Sequence, residues 1–132
     1  MPLDYSIDPA RRLVVARGRG ILTDGDVFRY QLEVWSRPEI AGYDELVDVS
    51  EVTEIAQPPA QRMRELAKLS AEMDGDAPAS RLAIVAPSDH AFGLGRMYEA
   101  YRTSHSRNTR DVGVFRSLAA ALDFLEIRGP LD

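Results

Sequence analysis

The chain has 132 residues, 45% of them hydrophobic, which is enough for one domain with a real core. It has no cysteine, which excludes disulfides, thiolate zinc sites and iron–sulfur clusters, and its net charge of −5 argues against general nucleic-acid binding, which needs a basic face. No apolar run nears the roughly 18 residues of a membrane span, and the start, Met1-Pro2-Leu3-Asp4-Tyr5, has no signal-peptide character, so the expected location is the cytoplasm.

Leu3 to Asp8 alternates apolar and polar residues, the period of a strand with one buried face. Asp8-Pro9-Ala10-Arg11 supplies a turn, and a second strand runs from about Arg12 to Gly18, so the two should form a hairpin. Thr23-Asp24-Gly25-Asp26 reads as a helix start, with Thr23 as cap and an acidic residue three positions on. Val27, Phe28, Leu32, Val34 and Trp35 then share one side of a helical wheel, in a helix ending near Pro38.

Leu46-Val47-Asp48-Val49 is a short apolar run, expected to be a buried strand with Ser50 and Thr53 just past it. Pro58-Pro59 opens the next helix, where Met63, Leu66, Ala67, Ser70 and Met73 keep helical spacing until Asp74-Gly75-Asp76 breaks it. Leu82 to Ala86 is the continuous apolar run of a strand covered on both faces. Pro87-Ser88-Asp89 starts a helix to about His105, Val112 to Phe115 is the last strand, and Ser117 caps a final helix carrying Leu118, Ala121, Leu122 and Leu125. The order β-β-α-β-α-β-α-β-α implies an α/β single domain over residues 1–132, with a mostly parallel sheet of about five strands and an antiparallel N-terminal edge strand.

Gly93-Leu94-Gly95-Arg96 follows the fourth strand closely enough to suggest a phosphate loop. Such a loop needs its glycines in the turn, where bare amides meet the anion; here they fall inside the helix, with no third glycine and no lysine. Helix glycines cost about 1 kcal/mol each relative to alanine, so close approach of a neighbouring element is the better reason for them. Gly93 and Gly95, beside Arg96, Met97 and Tyr98, then mark a partner surface, and a symmetric homodimer through this helix is an expectation. Arg96, Arg102, Arg107 and Arg110 form a local basic patch, most simply explained by helix-end electrostatics.

Nucleophilic catalysis needs a nucleophile, a base and a charge-stabilising group. With only His90 and His105, no cysteine and no Gly-x-Ser-x-Gly elbow, no catalytic set, metal site or cofactor is expected. Ligands of open parallel sheets collect at the carboxyl ends of the strands, which would gather Asp48, Ser50, Ser88, Asp89, His90 and Ser117 at one rim.

Several segments together, "GRGILTDGDV", "DELVDVSEV", "RLAIVA", "AFGLGRMYEAY" and "VFRSLAAALDFL", resemble the SpoIIAA-like branch of the STAS superfamily. The resemblance spans almost the whole chain and implies a five-stranded sheet packed against helices, a shape also compared with lipid-carrying CRAL-TRIO domains. Family members act as phosphorylation-switched partners of anti-sigma factors, through a serine in an Asp-Ser-Ser-Gly-like turn. The corresponding place here reads Glu54-Ile55-Ala56-Gln57-Pro58-Pro59, so the switch does not carry over, and Ser50 and Thr53 are the nearest hydroxyls for phosphorylation. The expected function is a non-catalytic binding or regulatory module for a protein partner or a small apolar ligand. The alternative is an enzyme or metabolite-binding protein with a polar pocket at the strand ends. An enclosed pocket around Asp48 and His90 would favour that alternative, and a flat apolar patch over Gly93 and Gly95 would favour the module.

Overall fold

The computed structural model describes residues 2–56, 60–75, 77–105 and 108–131. The Pro58-Pro59 helix start, Asp76 of the following break and Arg107 of the arginine patch lie outside the described residues. The elements in chain order are β1 (Leu3–Asp8), β2 (Leu13–Leu22), α1 (Asp24–Val34), a short 3-10 turn (Pro38–Ile40), β3 (Asp44–Ile55), α2 (Ala60–Asp74), β4 (Ser80–Val85), α3 (Asp89–Thr103), β5 (Arg110–Phe115) and α4 (Leu118–Phe124). The sheet has the order β1-β2-β3-β4-β5, with β1 antiparallel to β2 and every other pair parallel.

Each crossover from β2 onward steps one strand in the same direction, so right-handed connections put α1, α2 and α3 on one face of the sheet. The other face is left to α4. Strand side chains alternate between these faces: Val14 and Ala16 of β2 pack with Tyr30 and Val34 of α1, whereas Leu13 and Val15 pack with Ala121 and Leu125 around α4. Burial on both sides explains why β4 reads as an unbroken apolar run.

The helix starts follow their local chemistry. Thr23 and Asp26 form a reciprocal capping box on α1, and the Ser88 and Ser117 hydroxyls accept from Ala91 N and Ala120 N. The stripe of α1 differs from expectation, because Leu32 is exposed while Tyr30 and Gln31 are buried. Tyr30 turns inward because its hydroxyl finds an acceptor in Glu45 on β3.

β3 also differs. It runs twelve residues, pairing with β4 only from Glu45 to Asp48 but with β2 as far as Leu22 opposite Ile55. Ser50 and Thr53 therefore lie within a strand and not in a loop beyond it. A register shift at Gly18, whose backbone packs against Val52, lets this two-stranded ribbon continue past the rest of the sheet.

Candidate functional site

Between the sheet and the three helices on its first face lies a cavity of about 160 Å³. Val47 and Val49 of β3, Ile84 of β4, Val27 and Phe28 of α1, Met63 and Leu66 of α2, and Leu94 and Gly95 of α3 contribute to its wall. Helices that each bring a branched or aromatic side chain toward a twisted sheet need not fill the middle. Space of this size is large enough to hold a molecule the size of benzene.

The two ends of the cavity differ. At the buried end, Glu45, 4% exposed, accepts at Oε2 from the Tyr30 hydroxyl at 2.6 Å and from Trp35 Nε1 at 3.1 Å. Burial, reinforced by the charge of Glu45 and the hydrogen bond to it, raises the Tyr30 pKa well above the ordinary phenol value, so the hydroxyl keeps its proton and remains a donor. Gln31 lines the same end, its amide nitrogen donating to the weak thioether acceptor of Met73 at 3.6 Å.

Behind this end runs a buried network of two arginines and two carboxylates. Arg110 lies 4.0 Å over the Trp35 ring, with Nε 3.5 Å from Asp74 and Nη1 3.5 Å from Glu45 Oε1. The second contact is close enough for ionic attraction but lacks hydrogen-bond geometry, leaving Nη1 without a hydrogen-bond acceptor. Arg102, 2% exposed, donates to Asp74 at 2.6 Å, to Asn108 Oδ1 at 2.8 Å and to Tyr98 Oη at 2.7 Å. Desolvation works against the Arg102 charge, but Tyr98 and Asp74 outweigh it and raise the pKa.

At the other, partly exposed end, Thr23, Asp24 and Arg62 complete the lining. Arg62 Nε lies 2.9 Å from Asp24 Oδ2, and its guanidinium stacks 4.1 Å over Phe28, so it ties α2 to the first turn of α1. Nη1 reaches Glu65 at 3.1 Å. The hydrogen bond from Arg62 holds the Asp24 pKa below the usual carboxylate range, and the same bond raises that of Arg62.

Of the candidate site residues singled out in sequence, Gly95 lines the cavity and the others stand elsewhere. Val47 and Val49 point to the cavity, so Asp48 between them faces the α4 side, where it accepts from Ser50 N at 2.9 Å and from the Ser50 hydroxyl. Ser88, Asp89 and Ser117 do meet at one rim: the two serines cap helices, and Arg116 links Asp89 to the Pro87 carbonyl. His90 is exposed in the first turn of α3, Thr53 is exposed on β3, and Arg96 pairs with Glu99 at 3.3 Å.

The two glycines do not form one surface. Two residues turn a helix by about 200°, so Gly93 faces solvent with nothing within 4 Å of a built Cβ, while a Cβ on Gly95 would come 2.9 Å from Val114 Cγ1. The close approach expected of a helix glycine belongs to Gly95, and the neighbour is β5 of the same chain. Met97 lies on the outer side of α3 and Tyr98 lines the cavity. Among the described residues, no group of three or more His, Asp or Glu is placed to hold a metal ion, and no helix is long and apolar enough to cross a membrane.

Sequence reasoning missed Tyr30, Gln31, Glu45 and Arg62. A usable signal existed for Glu45, a carboxylate in the same strand alternation as Val47 and Val49, and so on a face otherwise apolar. No protein-family model and no curated protein matches the chain. Among solved structures it is similar to an uncharacterized protein of the DUF3478 family with a SpoIIAA-like fold from Shewanella loihica PV-4, at a TM-score of 0.57 and 17% identity over 93% of each chain. The fold is SpoIIAA-like.

Proposed function

We propose that this protein is a non-catalytic binding module whose ligand is a small, largely apolar molecule held between the sheet and helices α1, α2 and α3. The observation that carries the reading is the cavity of about 160 Å³, with apolar walls and polar groups confined to its ends. A protein interior is normally packed to the density of an organic crystal, so unfilled space forfeits dispersion contacts and costs stability. A bound apolar molecule restores those contacts. Tyr30 and Glu45 at one end, and Asp24 and Arg62 at the other, are engaged with each other, and His90 lies outside the space.

Two measurements together test this reading. The protein, purified gently from its own host, is weighed by native and then denaturing mass spectrometry, with a non-covalent mass expected to disappear on denaturation. The stripped protein is then titrated with toluene, with the methyl resonances of Val47, Val49, Ile84 and Leu94 as the readout. Loss of no mass, together with no shift in those methyls, would refute a ligand-binding cavity.

A further inference from the structure

The cavity's ends restrict the charge of what it binds, and this inference rests on the reading of that cavity as a ligand site. We infer that the ligand is an uncharged small molecule carrying one hydroxyl, of the phenol or medium-chain alcohol class, with the hydroxyl at the buried end beside Glu45.

Anions are disfavoured at both ends. The buried end presents the Glu45 carboxylate, and Arg110, the cation nearest to it, lies behind that carboxylate and not on the cavity wall. At the partly exposed end Arg62 is already held by Asp24 and Glu65, so an incoming carboxylate would have to displace one of them. Cations fare no better. Glu45 and Asp74 are balanced by Arg110 and Arg102, and a third cation beside this buried set would bring an uncompensated charge out of water.

A purely apolar ligand fits the walls but not the buried end. Glu45, an acceptor, and Gln31 both belong to the lining there. Gln31 adds an amide nitrogen whose acceptor is the Met73 sulfur. The lining there therefore holds a strong acceptor and one weakly matched donor. A hydroxyl is the smallest group that both donates and accepts, so it can donate to Glu45 and accept from the Gln31 amide without adding charge. The volume sets the remainder of the molecule at about the size of one six-membered ring.

Four probes of nearly one shape decide the matter: p-cresol, toluene, benzoate and benzylamine, titrated into the intact protein. Trp35 is the sole tryptophan, and its indole donates to Glu45, so its fluorescence reports on the buried end. The toluene-sensitive methyl resonances report occupancy independently. A hydrogen bond to a charged acceptor should make p-cresol bind about tenfold tighter than toluene, with benzoate and benzylamine far weaker. In Glu45→Gln the p-cresol preference should fall to within about twofold, and toluene binding should persist. Where that variant fails to fold for want of a counter-ion to Arg110, the wild-type series still decides. Tyr30→Phe, which leaves the Glu45 acceptor in place, should retain the preference.

Equal binding of toluene and p-cresol would overturn the hydroxyl assignment while leaving the apolar ligand site standing. Benzoate or benzylamine binding as tightly as p-cresol would overturn the neutral-ligand assignment. Binding of neither toluene nor p-cresol would overturn both this inference and the function on which it rests.

Discussion

Filling the cavity from the sheet side should stabilise the protein and close the site. Val47 and Val49 both line it from β3, and both are β-branched in a strand that favours β-branched residues. The double variant Val47→Ile/Val49→Ile keeps that preference and adds two methylenes to the empty space. At about 0.8 kcal/mol per buried methylene, the gain should approach 1.6 kcal/mol. A cavity of about 160 Å³ has room for both added methylenes. Urea denaturation measures it. With a slope of roughly 1–3 kcal/mol per molar, the midpoint should rise by about 0.5–1.5 M at unchanged slope, and toluene binding should weaken in the same variant. A midpoint that falls, by the roughly 1–3 kcal/mol that overpacking costs, would mean that the space is already filled and the argument from it is unsound.

The two glycines of α3 should respond with opposite signs. Gly93→Ala has open space and should gain about 0.5–1 kcal/mol from helix propensity and reduced unfolded-state freedom. In Gly95→Ala the new Cβ meets the stiff Val114 side chain at 2.9 Å, and displacement of α3 should outweigh that gain for a net loss of about 1 kcal/mol. Thermal melts of the pair check this, and stabilisation of both would contradict the packing of α3 on β5. Asp74→Ala should cost about 3–5 kcal/mol, because it strands Arg102 in the interior and removes one of the two carboxylates beside Arg110, and a loss below about 1 kcal/mol would show that those charges find other relief. Tyr30, whose pKa is raised in the fold, holds its proton where the unfolded chain releases it, so its contribution is whole below about pH 10 and shrinks as pH rises further. Urea midpoints should therefore fall less steeply above about pH 10 in Tyr30→Phe than in the wild type, and parallel curves would contradict that assignment.

Much of the architecture was legible along the chain, since period-two alternation in β1, the unbroken apolar run of β4 and the caps at Thr23, Ser88 and Ser117 are local signals. Strand and helix alternation with right-handed crossovers then leads to the parallel sheet with its antiparallel edge. The length of β3 was not legible, because Ser50, Glu51, Thr53 and Glu54 are polar and the ribbon that holds them is made by pairing with β2, a contact remote in sequence. Nor was the site. The rim of hydroxyls and carboxylates at the strand ends drew attention because those residue types carry chemistry, yet many of them serve as caps or pair with near neighbours.

The sequence by itself determined the elements, their order and the class of fold, because each depends on the periodicity and capping of a few neighbouring residues. Only the tertiary structure decided that Gly95 meets a strand while Gly93 meets water, that Glu45 is buried against Tyr30, and that three helices leave a space over the middle of the sheet. A cavity is a property of side chains failing to meet across elements, and no local pattern records what distant side chains leave unfilled.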